Sequence, residues 1–154
     1  MSSFIRGLFD LFRGRNTAEV NSPYKAAGQG YAEELYKKGV MFEQGLGVPQ
    51  DDQQAFISYH MAAVQGHAKA QYNVGLMFSQ GRGMRQNDKD AVFWYRKAAE
   101  QGDAEAQYKL GDMYAKGLGV EQDFAKGAAW THKAAVQGHA TAQYMLGWIT
   151  TPKA

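Results

Sequence analysis

The chain has 154 residues, with 17 basic against 15 acidic side chains and no cysteine. That length suits one domain with a substantial core, and the missing cysteines exclude disulfide staples, thiolate metal sites and cysteine nucleophiles. The whole excess of +2 lies in residues 1–30, where Arg6, Arg13, Arg15 and Lys25 outnumber Asp10 and Glu19. The remainder is balanced and carries no basic stripe to match a phosphate backbone, so nucleic acid is not an expected partner.

The first element is residues 1–15, "MSSFIRGLFDLFRGR". Taken as a helix, Phe4, Ile5, Leu8, Phe9, Leu11 and Phe12 share an arc of about 160°, with Arg6, Asp10 and Arg13 outside it. Arg6 and Asp10 interrupt the apolar stretch that a secretory signal needs, and no apolar run approaches the ~20 residues of a membrane-spanning helix. The expected location is therefore the cytoplasm. Three roles fit the amphipathic segment: capping the fold, docking into a partner or a second copy, or lying on an anionic surface such as the inner membrane. Residues 16–31 follow as a linker and half repeat. "YKAAGQGYA" (24–32) aligns with "HKAAVQGHA" (132–140), and Ser22 with Pro23 suits a helix start, which predicts a short helix ending at Gly30.

From Ala32 onward the chain repeats itself every 36 residues. "AKAQYNVGLMF" (68–78) returns as "AEAQYKLGDMY" (104–114). Tyr36, Tyr72, Tyr108 and Tyr144 fall in register, as do Gly39, Gly75, Gly111 and Gly147. The units are 32–67, 68–103 and 104–139, with a truncated fourth at 140–154. A period of this length means stacked supersecondary units. Each unit reads as two helices. The first runs about three turns and stops at a G-x-G pair (Gly45/Gly47, Gly81/Gly83, Gly117/Gly119), where glycine supplies the left-handed geometry of a helix end. The second starts after Asp51, Asn87 or Asp123, good N-caps because a short side-chain oxygen accepts from first-turn amides, and ends at Gly66, Gly102 or Gly138. No stretch alternates with period two. The expected class is all-α: an α-α superhelix, a right-handed solenoid of helix pairs, with an N-terminal amphipathic helix.

These residues carry a family resemblance. "AEAQYKLGDMYAKGLGVEQDFAKGAAWTHKAAVQGH" (104–139) and "AKAQYNVGLMFSQGRGMRQNDKDAVFWYRKAAEQGD" (68–103) resemble the Sel1-like repeat, a relative of the tetratricopeptide repeat. The resemblance implies a scaffold or adaptor that binds other proteins. Bacterial examples include regulators, secretion-associated factors and immunity proteins that neutralise a toxin. The family has a cysteine-rich bacterial branch, and the absence of cysteine places this chain outside it. Unit one departs from the pattern at Leu35 and Lys38, and the fourth unit lacks a second helix.

Catalytic chemistry finds little support. The G-x-G pairs follow helices instead of strands, so they read as punctuation and not as a phosphate cradle. His60 and His132 share one repeat position and His67 and His139 another, a whole repeat or more apart, which argues against convergence on one metal ion. The acids Glu33–Glu34 and Asp51–Asp52 read as helix-start residues that favour the macrodipole. No nucleophile–base–orienter set stands out. Mid-helix glycines such as Gly75 cost about 1 kcal/mol each against alanine, and their repetition predicts close helix approach. The Trp94/Trp130 and Tyr72/Tyr108 series are expected core. Neither an enzyme nor a cofactor is expected.

Repetition also separates stacking from recognition. Positions that stay constant serve every unit, whereas positions that drift are free to specialise. One drifting set on the first helices is Glu33, Lys37, Val40 and Gln44; Lys69, Asn73, Leu76 and Gln80; Glu105, Lys109, Asp112 and Lys116; and Thr141, Met145 and Trp148. The spacing of four, three and four keeps them within an arc of roughly 60°. Related solenoids line their concave face with first helices, which makes this stripe the expected partner groove. The most specific expectation is a bacterial immunity or inhibitor protein masking a toxin or effector; the alternative is a peripheral membrane adaptor anchored by residues 1–15. Trp148 and Ile149 are further expected to support weak self-association.

Overall fold

The structure, a computed structural model, describes residues 24–150. These form seven helices: α1 (Tyr24–Gln44), α2 (Asp52–Val64), α3 (Ala68–Gln80), α4 (Asp88–Glu100), α5 (Ala104–Lys116), α6 (Phe124–Val136) and α7 (Ala140–Thr150). Each packs chiefly on its neighbours in the chain, so the helix pairs stack in sequence order as a solenoid. The amphipathic segment expected at residues 1–15 lies outside the described residues.

Local chemistry explains where the helices start and stop. Asp51 accepts from the amides of Gln53 and Gln54 at 2.9 and 3.0 Å, Asn87 from Lys89 and Asp90, and Asp123 from Lys126. These bonds satisfy first-turn amides that have no partner within the helix. At the other end of α2, Gly66 takes φ +91. The amide of Gly66 then reaches the Ala63 carbonyl, and that of His67 the Ala62 carbonyl. The same double bond closes α4 and α6, a Schellman ending in each case. The G-x-G pairs do two jobs. Gly81 and Gly117 hold left-handed caps at φ 66 and 69. Gly83 and Gly119 lie against the backbone of Asp52 and Asp88, the first residues of the preceding unit's second helix, where a Cβ would collide. The second glycine therefore sets how closely one unit stacks on the last.

The break expected at Gly30 does not form. α1 runs unbroken through Gly28 and Gly30, and neither takes a positive φ. The reason is the residue that follows. His67, Asp103 and His139 each close one helix and cap the next, accepting from Ala70, Ala106 and Ala142. Tyr31 stands in that place in unit one, and its phenol is too long to cap its own first turn. Glu33 and Glu34 consequently sit within a helix and not at its start.

The core is built from small residues under large ones. Ala62, Ala63, Ala98, Ala99, Ala134 and Ala135 are all buried, which lets the helices approach closely beneath Phe56, Tyr59, Trp94 and Tyr95. Trp94 is core as expected, while Trp130, Tyr72 and Tyr108 are half-buried against the clusters. A polar rung crosses two of the joints. Buried Gln71 donates to the Ala63 carbonyl at 3.1 Å and accepts from Gln101 at 2.7 Å; Gln107 repeats this with Ala99 and Gln137. Unit one replaces the rung with buried Leu35, and Gln65 turns back to the Met61 carbonyl of its own helix.

Candidate partner-binding surface

The drifting residues occupy the first helices α1, α3, α5 and α7. Glu33, Lys37, Gln44, Lys69, Gln80, Glu105, Lys116, Thr141 and Met145 are exposed. Val40, Asn73, Leu76, Lys109 and Asp112 are half-buried. On α3 and α5 the stripe is thus recessed at its middle and open at its ends. Trp148 lies on α7, but its side chain and that of Ile149 fall outside the described residues, and so does the self-association expected from them.

Several stripe residues are not free of stacking, contrary to the expectation. The Nδ1 atoms of His67 and His139 accept the amides they cap, which leaves each Nε2–H to donate to a glutamate one unit back. His67 meets Glu33 at 2.9 Å and His139 meets Glu105 at 3.3 Å. Each ring also stacks on a tyrosine of the same preceding helix, Tyr36 or Tyr108, with centroids 4.6 Å apart. The bond from His67 holds the Glu33 carboxyl below its ordinary range. At the middle joint the cap is Asp103, and the residue in the place of Glu33 is Lys69. There the acid stands at the cap and the base on the stripe. The drift at Glu33, Lys69 and Glu105 therefore follows the cap of the next unit, a covariation that was readable within the single chain.

The apolar members also contribute to packing. Val40 packs against the core of units one and two, and Leu76 against that of units two and three. Asn73 lies close enough to the Tyr59 hydroxyl to lower its pKa slightly against the effect of burial.

A network that the sequence reading missed lies beside them. The buried Tyr59 phenol donates to Glu43 Oε2 at 2.6 Å, and both burial and the adjoining carboxylate raise its pKa. Arg82 donates to Glu43 at 3.0 Å and to Asp52 at 2.8 Å, clamping the loop of unit two to unit one. The available signal was Arg82 itself, between paired glycines where the other two loops carry Leu46 and Leu118. Among the described residues no group of three His, Cys, Asp or Glu side chains is placed to hold a metal ion. His67 and His139 are caps and ring partners, and His60 is core.

The Sel1 repeat family model matches residues 32–67, 68–103 and 104–139. The chain belongs to the Sel1 repeat family. Sel1 repeat proteins generally mediate protein–protein interactions, and the scaffold is generally non-catalytic. Among solved structures the chain is similar to c5321, a protective antigen present in uropathogenic Escherichia coli strains that displays an SLR fold. Identity is 41% and the TM-score 0.75, covering 80% of this chain and 27% of that one. It is also similar to a Sel1 repeat protein from Oxalobacter formigenes, at 36% identity and TM-score 0.72, covering 80% of this chain and 48% of that one. The chain thus spans less than half the length of either. Helicobacter pylori cysteine rich protein B shares the fold at 18% identity and TM-score 0.63, covering 82% of this chain and 98% of that one. No curated protein matches the chain.

Proposed function

We propose that this Sel1 repeat protein is a non-enzymatic module that holds another protein along its first-helix face. The observation that carries this reading is the recessed middle of the stripe. Asn73, Leu76, Lys109 and Asp112 occupy equivalent places on α3 and α5, differ between the units, and are only half-buried. The constant positions of the same helices, such as Ala70, Gln71, Gly75, Ala106, Gln107 and Gly111, are buried and consumed by stacking. A face that mixes charge with partly exposed apolar side chains suits a protein surface better than a small metabolite. The most specific form of the proposal is a cytoplasmic bacterial immunity or inhibitor protein that masks a toxin or effector. This form rests on analogy within the family.

Site-specific photo-crosslinking in the native cell tests it. A photoreactive residue at Gln80, on the stripe, should capture one partner, and the same residue at Lys97 on α4 should not. The captured protein should arrest growth when expressed alone and be harmless beside this chain. Capture at Lys97 but not at Gln80 would place the interface on the opposite side. A harmless partner would remove the toxin reading and keep the binding one.

A further inference from the structure

The far end of the stack exposes a surface that the earlier units cover. Phe56 of unit one packs on Phe78 of unit two, and His60 on Trp94. Arg96 of unit two reaches the Tyr114 hydroxyl of unit three at 2.8 Å. The equivalent residues of unit three, Ala128 and His132, are exposed. On α7, Gln143 stands in the place of buried Gln71 and Gln107, which accept from Gln101 and Gln137. Gln143 is exposed, and among the described residues no glutamine takes that place for it. Tyr144 is 71% exposed, where Tyr36 and Tyr108 carry a stacked histidine.

The opposite end carries the matching pieces. Residues 24–30 have the sequence of a second-helix ending, with no first helix before them among the described residues. In the repeat register Gln29 matches Gln101 and Gln137, and Tyr31 matches His67, Asp103 and His139. The glycines give a separate indication. Gly28 and Gly30 lie within α1, take no positive φ, and have nothing within 4 Å of where a Cβ would stand. Glycine weakens a helix relative to alanine, and neither turn nor close approach calls for it here. Gly30 has a use where it closes a helix, as Gly66, Gly102 and Gly138 do at φ 91, 95 and 91. The pairing at the joints extends the same way. His67 and His139 meet glutamates, and Asp103 comes with Lys69. Neutral Tyr31 would come with neutral Thr141.

We propose that the chain assembles head to tail, with residues 24–31 of a second copy completing the fourth unit of the first. On docking, α1 of the second copy bends at Gly30, its Gln29 donates to Gln143, and its Tyr31 rests on exposed Tyr144. The contact continues between chains the unit-on-unit stacking already present within one. It joins two different surfaces, so copies add in an open row and lengthen the first-helix face.

Sedimentation velocity of the full chain tests this. The average mass should rise with concentration and pass that of a dimer. Gly28→Ala with Gly30→Ala stiffens α1, so it should weaken association about tenfold while the melting temperature holds or rises. Tyr144→Lys, at the other end, should weaken association as well. Each of these variants keeps one sound end. An equimolar mixture of the two should therefore form a heterodimer and grow no further. Wild-type growth that stops at a dimer, full association of the Gly28→Ala and Gly30→Ala variant, or a mixture that stays monomeric overturns the proposal. So does a wild-type monomer at every concentration, the result expected if residues 1–23 of the same chain cover α6 and α7.

Discussion

In unit two, Gly75 lies beneath the ring of Tyr95, and a Cβ there would come within 2.7 Å of the ring. Unit one does the same with Gly39 and Tyr59. Unit three carries the matching Gly111, but no tyrosine faces it. Thr131 stands in that place, and a Cβ on Gly111 would meet its Oγ1 at 2.5 Å and the Gly127 carbonyl at 2.8 Å. Gly127 in turn faces the Gly111 carbonyl, and Thr131 donates to the Gly127 carbonyl at 2.9 Å. One repeated glycine therefore serves two kinds of packing: helix against ring in the first two units, and backbone against backbone in the third. The two ends of the stack differ again at an equivalent histidine. His60 is buried between Phe56 and Trp94, while His132 is exposed. A repeat unit is thus a constraint on spacing, which different side chains can fill in different ways.

The largest expected effect tests the histidine contrast. Burial lowers the His60 pKa to about 4, whereas in the unfolded chain it is near 6.5. Above pH 6.5 both states are neutral there and the group has no influence. As pH falls from about 6.5 to 4, the unfolded chain takes up a proton that the folded one refuses, so stability drops, by about 3 kcal/mol in total. Urea unfolding at about pH 7 and about pH 5 should show most of this loss. His60→Gln should flatten the dependence and His132→Gln should not. A slope unchanged by His60→Gln would show that the titrating group lies elsewhere.

Gly111→Ala comes next. The alanine gains about 1 kcal/mol of helix propensity, but overpacking costs typically 1–3 kcal/mol, and here the obstacle includes backbone that no rotamer change can clear. A net loss of up to about 2 kcal/mol is expected by thermal or urea unfolding. In unit two the obstacle is a side chain, so Tyr95→Leu should recover part of the cost of Gly75→Ala. Thr131→Ser should recover nothing for Gly111→Ala. Equal rescue in both units would erase the distinction between ring and backbone packing.

The smallest effect compares the two phenols. Tyr59→Phe removes a bond to a carboxylate and should cost about 1.5 kcal/mol. Among the described residues the Tyr95 hydroxyl is partnered by that of Ser79, at 3.2 Å, and Tyr95→Phe should cost about 0.5–1 kcal/mol. Burial pushes the Tyr95 pKa up to about 12, and that of Tyr59 is also raised. Both phenols should accordingly stay protonated in an ultraviolet titration carried past the ordinary tyrosine value of about 10. Equal costs for the two phenylalanine variants would mean that Glu43 adds nothing to the bond.

The sequence by itself determined the helix-pair period, the caps at Asp51, Asn87 and Asp123, and the endings at Gly66, Gly102 and Gly138. Each of these is written within a few residues, because a cap or a left-handed turn bonds only to its own helix. Even the failed break at Gly30 was legible in Tyr31, which cannot cap where His67, Asp103 and His139 do. Tertiary structure decided the rest. Glu33 meets His67 from 34 residues away, and Arg82 reaches Glu43 across 39. Residues so far apart are brought together only by stacking one unit on another. For the same reason the stripe looked uniformly free in the sequence, although Glu33, Glu105, Val40 and Leu76 share in stacking. Periodicity shows which face of a helix a residue occupies, but only the neighbouring unit decides whether its charge is already matched.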